Sequence, residues 1–345
     1  MLAIKNIGIV SLSKGILGEK YIHHEVDIGI QRIKNMGITI HFMPNSLKGI
    51  NYLENHPEKR AQDLIDAFND PKIDMILCAI GGDDTYLTLP YLFENKDYIN
   101  VQQCKNKIFL GFSDSTINHF ALYKLGIGKL FYGQSFLSDV CELSSQMLPY
   151  SLMYFKELVL TGSIKKISPS PVWFKNRKAY GIDEVGKNLI PIKNEKFKLL
   201  KGKKKIEGQI LGGCVDTIHD MLFPTSKKAK KIFQKYDIFP KASEWKNKIL
   251  LLETSENKMS PFDYKKTLIK LRKLNVLDTV SGILIGQPFD RVYEKEYQKI
   301  IIDVTKDIPT TIVANINIGH SLPRCIIPFN CSAIVDSANQ HIQFR

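Results

Sequence analysis

The stretch Lys107–Gly126, KIFLGFSDSTINHFALYKLG, decides the fold. Ile108, Phe109 and Leu110 read as a short buried strand, and Gly111-Phe112 carry the chain into a corner occupied by Ser113-Asp114-Ser115-Thr116. Beyond the corner, Ile117, Phe120, Ala121 and Leu125 recur at helical spacing until Gly126 ends the helix. A serine between a strand end and a helix start exposes its hydroxyl for attack and leaves the following N–H free to bind an oxyanion. The spelling departs from G-x-S-x-G, because Ser115 stands where the second glycine would be. A plainer reading is also open: Ser113 caps the helix, with Asp114 adding favourable charge at its N-terminus.

Working outward, residues 4–11 read as a first strand, 20–36 as a helix and 38–42 as a second strand. Asn45–Leu53 reads as loop, and Pro57–Phe68 as an amphipathic helix with Ala61, Leu64, Ile65 and Phe68 on one face. Ile73–Ile80 is a nearly continuous apolar run, as expected of a parallel strand buried on both faces. It ends in Gly81-Gly82-Asp83-Asp84-Thr85 before a helical pattern over Tyr86–Phe93. The glycine pair is either a plain tight turn or a place of close backbone approach with a concavity of N–H groups. This alternation predicts a doubly wound α/β unit.

From about Cys141 to Gly208 the periodicity fades and prolines and lysines accumulate, predicting a crossover and surface flap that holds Trp173-Phe174. A second α/β unit follows. Its strands are expected at Gln209–Cys214, Lys248–Leu252, Gly282–Ile285 and Thr310–Ala314, with helices over Phe262–Leu274 and Glu294–Lys306. The expected division is an N-terminal domain over 1–160, a crossover over 161–208 and a C-terminal α/β domain over 209–345.

With 345 residues, 44% of them hydrophobic, the chain can bury a sizeable core, and no run approaches the ~18 apolar residues of a membrane span. The opening MLAIKNIGIVSLSKG lacks a small-residue cleavage site and reads as a strand rather than a signal peptide. The six cysteines are scattered with no C-x-x-C pair, which argues against a zinc site or disulfide framework and suits a reducing cytoplasm. A net charge of +13 invites a nucleic-acid hypothesis. However, the runs Lys201–Lys205 and Lys227–Lys231 are lysine-rich without interleaved aromatics, so they read as solvated faces, and an acidic substrate uses the charge more economically.

In open α/β sheets functional residues collect beyond the carboxyl ends of strands. Ser113, Glu253 and His320 each follow such an end, in the order nucleophile, acid, base. A hydroxyl needs an imidazole to take its proton, and the imidazole needs a carboxylate to fix its tautomer. His219 is a second candidate for the base, and Glu256 competes with Glu253 for the acid.

The sequence resembles the LD-carboxypeptidase / microcin C immunity family of serine peptidases along nearly its whole length. The matching stretches are IGIVSLSKG from Ile7, RAQDLIDAFND from Arg60, CAIGGDDT from Cys78, GFSDST from Gly111, LLETSE from Leu251, GILIG from Gly282 and GHSLPRCIIP from Gly319. The resemblance implies a Ser-Glu-His triad on Ser113, Glu253 and His320, with an oxyanion hole from the N–H groups of Asp114 and Gly82. It also implies an N-terminal Rossmann-like (flavodoxin-like) parallel-sheet domain, a C-terminal α/β domain, an active-site cleft between them, a homodimer, and no metal or other cofactor. Ile80 stands where the murein enzymes often carry an arginine, which leans toward the microcin-immunity branch. Two substrates follow from the resemblance: a murein tetrapeptide losing D-alanine, or a peptidyl- or aminoacyl-nucleotide. For the latter, Trp173 or Phe174 offers a stacking face, and Arg324 a partner for carboxylate or phosphate. The rival is a non-catalytic binder of a small anion or nucleic acid, in which Ser113 is only a cap.

Overall fold

Two large mixed β-sheets flanked by helices organise the chain. The computed structural model describes residues 2–94, 104, 106–127 and 129–345. In the first sheet, strands Lys129–Tyr132, Ile108–Gly111, Met75–Cys78, Asn6–Val10 and Thr39–Phe42 lie side by side and parallel in that order. Met75–Cys78 and Ile108–Gly111 are buried at every position, which explains their unbroken apolar sequences. The far edge is closed by Ile327–Pro328, antiparallel to Lys129–Tyr132, so the C-terminal part of the chain completes the N-terminal sheet. A proline fits there because an edge strand can spare one N–H.

The second sheet has a parallel centre of Lys205–Cys214, Lys248–Glu253, Gly282–Gly286 and Thr311–Ile316. Ser332–Asp336 and His341–Phe344 extend it antiparallel on one side. Its two outer edges, Lys166–Ile167 and Lys198–Lys201, come from the stretch whose periodicity fades. That stretch also holds the helix Pro149–Thr161, with Pro149 in its first turn. Exposed Met153 and Leu160 on this helix blur the apolar stripe that would have marked it in sequence. Residues 45–53, expected as loop, instead run into a short helix, Ile50–Asn55, anchored by buried Leu53. Among the described residues no helix is long and apolar enough to cross a membrane. The cysteines at 78, 104, 141, 214, 325 and 331 are free thiols.

Candidate active site

Strand Ile108–Gly111 ends at the corner read from the sequence, and Ser113 there has φ 64°, the left-handed region that a non-glycine residue enters at a cost. The chain makes one 3₁₀ turn, Ser113–Ser115, before the helix Thr116–Lys124. Neither start carries a side-chain cap bond, so Ser113 is not a helix cap. Its Oγ instead lies 2.9 Å from His320 Nε2.

His320 lies beyond strand Thr311–Ile316, and its Nδ1 is 2.8 Å from Glu253 Oε2, which also accepts the His320 backbone N–H at 3.2 Å. The approach is possible because residue 319 is glycine: a Cβ there would sit 2.2 Å from Glu253 Oε2, at a φ of +79°. Burial pushes the Glu253 carboxyl up, but His320 and the bond from Tyr132 outweigh it and hold the group below the usual carboxylate range. Burial alone would lower His320, yet Glu253 and then Glu256 raise it above the ordinary imidazole value. Glu253 is therefore ionised at neutral pH, and in the neutral ring a proton on Nδ1 directed at it leaves Nε2 as the acceptor for the Ser113 hydroxyl. Both candidate acids reach the ring, at different nitrogens: the exposed Glu256 places Oε2 3.1 Å from Nε2.

Tyr132 is a member of this group that sequence reasoning missed. Its hydroxyl donates to Glu253 Oε1 at 2.6 Å and accepts the Ser113 backbone N–H at 3.1 Å, joining the nucleophile's strained backbone to the acid. It is the last residue of strand Lys129–Tyr132, so the strand-end rule that found the other residues applied to it too.

On the opposite side of Ser113, the Gly81-Gly82 turn passes so close that a Cβ on Gly81 would lie 2.7 Å from Ser113 Cβ, 2.8 Å from its Oγ and 3.5 Å from Asp114 N. The Asp114 carboxylate turns away and fastens this turn: Oδ2 accepts Thr85 N–H at 2.9 Å and lies 2.8 Å from Ser13 Oγ. Buried Arg60 holds Asp84 at 2.7 Å behind it. Burial pushes the Asp114 carboxyl up to about 6, despite the bonds from Thr85 and Ser13.

Ser113 and His320 open into a cavity of about 610 Å³, also lined by Gly81, Gly82, Glu25, Glu142, Tyr180 and Arg324. Arg324 stacks 4.5 Å above the Phe112 ring and lies 3.5 Å from Asp139. Burial pushes Asp139 up to about 6, and Arg324 opposes this. Trp173 is not brought to this cavity; it is buried with the Arg291 guanidinium 5.1 Å from its ring. Phe174 pairs its backbone with Leu322 and lines a separate, largely apolar cavity. The aromatic residues lining the site are instead Tyr21, Phe112, Tyr180 and Phe289, none of which the sequence singled out as a ring for the ligand. His219 bonds Thr267 Oγ1 at 2.7 Å, away from Ser113. Ligand atoms of Cys214, Glu253 and His320 lie within 4.8 Å of one another, a spacing that could hold a metal ion. The Cys214 thiol is pushed well up by burial, and the other two groups already bond each other.

Comparison with known proteins agrees with this geometry. The family described as LD-carboxypeptidase N-terminal domain matches residues 7–133, and its C-terminal domain matches residues 207–335. A structure of an MccF-like protein from Streptococcus pneumoniae, solved in complex with AMP, is 49% identical, superposes with a TM-score of 0.96 and is covered, like this chain, to 99%. YocD of Bacillus subtilis, named as a carboxypeptidase, is 27% identical over 81% of this chain and 78% of its own length. The microcin C7 self-immunity protein MccF of Escherichia coli is 22% identical over 83% of this chain and 77% of its own; MccF has also been solved with aspartyl sulfamoyl adenosine, at a TM-score of 0.78. The chain belongs to the LD-carboxypeptidase / microcin C immunity family of serine peptidases.

Proposed function

We propose that the protein hydrolyses the amide-type bond between an aminoacyl or peptidyl group and a nucleotide, through an acyl-enzyme on Ser113. The observation that carries this is the unbroken line from Ser113 Oγ to His320 Nε2 at 2.9 Å and from His320 Nδ1 to Glu253 at 2.8 Å, opening into one cavity. Ser113 Oγ attacks the carbonyl while its proton passes to His320 Nε2, and Glu253 stabilises the imidazolium that forms. In this reading the N–H groups of Asp114 and Gly82 are assigned to the developing oxyanion. His320 then returns the proton to the leaving nitrogen, and water releases the acyl group by the same path.

The nucleotide reading draws support from AMP in the 49% identical Streptococcus pneumoniae protein. Tyr180 and Tyr21 offer ring faces to a purine, and Arg324 a cation to the phosphate or to a carboxylate. The second reading is release of D-alanine from a murein tetrapeptide, favoured by the carboxypeptidase name of YocD. The N-terminal unit, with strand order 2-1-3-4-5 along its parallel strands, is read as flavodoxin-like. Residues 1–160 and 209–345 are read as two domains joined by 161–208, in a cytoplasmic homodimer whose mass light scattering would report.

The test is to incubate the protein with an aspartyl-nucleotide conjugate and with a murein tetrapeptide, and to follow free nucleotide and free D-alanine by mass spectrometry. Ser113→Ala is expected to lower turnover of the active substrate by about 10⁴-fold or more, since triad members act as a unit. Full activity in that variant would remove Ser113 from the mechanism.

A further inference from the structure

Glu25 lines the same cavity as Ser113 and His320, yet the proposed mechanism gives it no task. It sits in the first turn of helix His23–Asn35 and is only 5% exposed. The hydrogen bonds and ion pairs of the surrounding His24, Arg32 and Arg177 side chains all end on groups other than its carboxylate. The cationic neighbours that could serve it are committed elsewhere. His24 Nε2 lies 3.0 Å from the Tyr180 carbonyl. Arg32 reaches the carbonyls of Val140, Glu142 and Ser144. Arg177 grips Glu142 Oε1 with Nε at 2.9 Å and Nη2 at 2.6 Å, and turns Nη1 toward Glu184.

Arg177 goes to Glu142 and Glu184, Glu184 also has Lys187 Nζ at 2.8 Å, and none of these cations pairs with Glu25. Burial, with Glu142 adding to it, pushes the Glu25 carboxyl up to about 7, while His24 and Arg177 pull it down. A carboxylate buried without a counter-charge is costly, and an incoming cation with N–H donors removes that cost.

We propose that Glu25 is a specificity residue that receives an ammonium group of the substrate, so that the cavity prefers aminoacyl or peptidyl groups with a free amine. Arg324, on the same cavity, would take an anionic part of such a molecule, and the wall would read a zwitterion. This rests on the nucleotide-conjugate reading above for its probes, but its test is binding and does not require turnover.

The experiment titrates the Ser113→Ala protein, with and without Glu25→Gln, by calorimetry. The probes are aspartyl sulfamoyl adenosine and succinyl sulfamoyl adenosine, which lacks only the amino group. With Glu25 present, the aspartyl compound should bind tighter by about tenfold or more, the range of a charge-assisted hydrogen bond. In Glu25→Gln the two should bind alike, with a melting temperature showing that the variant is folded. The succinyl comparison on the Glu25 protein needs no substitution there and guards against misfolding. Equal binding of the two probes to the Glu25 protein would overturn the proposal, as would a preference for the amine that survives Glu25→Gln. A Glu25→Gln effect that disappears when inosine replaces adenosine would overturn it too, because the base amino group would then be what Glu25 reads. No binding of either probe also overturns it, whereas D-alanine release from a murein tetrapeptide bears on the hydrolase reading alone.

Discussion

Tyr132→Phe removes one oxygen atom from the centre of the site and little else. The ring is fully buried and stacks on Phe329 at 5.5 Å, so phenylalanine keeps the packing. Two hydrogen bonds are lost: the 2.6 Å bond donated to the ionised Glu253, and the 3.1 Å bond accepted from Ser113 N–H. A bond to a buried charge contributes about 1.5–3 kcal/mol and a neutral one about 0.5–1.5 kcal/mol, giving roughly 2–4.5 kcal/mol in stability. The loss should depend on pH with a definite sign. Tyr132 helps hold Glu253 below its ordinary value, so the stability Glu253 supplies is present above the usual carboxylate range and disappears as the pH falls through its folded pKa. The gap between variant and parent, measured by urea denaturation, should be full at pH 7 and should narrow in acid. Catalytically, the same bond steadies the carboxylate that balances the imidazolium. If the whole charge-assisted share is felt there, labelling of Ser113 by a fluorophosphonate slows by about 10–100-fold. Equal denaturation midpoints at pH 7 together with labelling within about twofold of the parent would refute the reasoning.

Three further outcomes follow from the same geometry. Glu256 raises His320, so Glu256→Gln should move the acid limb of the kcat/KM profile to lower pH; an unmoved or rising limb contradicts the 3.1 Å contact. Gly81→Ala puts a methyl 2.7 Å from Ser113 Cβ and 2.8 Å from its Oγ, and fluorophosphonate labelling should fall by about tenfold or more while the protein remains folded by circular dichroism. Gln287 Oε1 accepts from Ser321 Oγ at 2.9 Å and its Nε2 donates to Asn315 at 2.8 Å, on either side of His320. Gln287→Leu strands those partners and should cost about 1–3 kcal/mol by urea denaturation, with slower Ser113 labelling.

What the sequence made legible was whatever one local signal could carry. The corner at Ser113 announces itself, because an apolar strand, a Gly-Phe pair and a helical pattern lie within twenty residues of Lys107–Gly126. Glu253 and His320 were reachable because each stands just past an apolar run whose burial is complete, and the family likeness assembled them. Tyr132 escaped because a strand-ending tyrosine looks like core until the partner 121 positions away is known. The same holds for Gln287, whose partners Asn194, Asn315, Asn317 and Ser321 are joined only by the fold. Trp173 shows the opposite failure. Rarity drew attention to it, but rarity has no direction, and its ring packs against Arg291 rather than on the cavity.

Net charge misleads in a related way. A chain at +13 suggests a cationic site, yet the lysines that make the excess, such as Lys227, Lys228, Lys230 and Lys231, lie exposed on a surface helix outside the cavity. The cavity itself sets Glu25, Asp83, Glu142 and Glu256 against Lys14, Arg177 and Arg324. Arg177 is already claimed by Glu142, and Arg324 faces Asp139. The pocket is thus mixed in sign, and an anionic substrate gains little from the whole-chain charge beyond faster encounter. Selection must come from where each charge sits relative to Ser113. If Glu25 takes a cation and Arg324 an anion, as proposed above, the ligand they describe is a zwitterion.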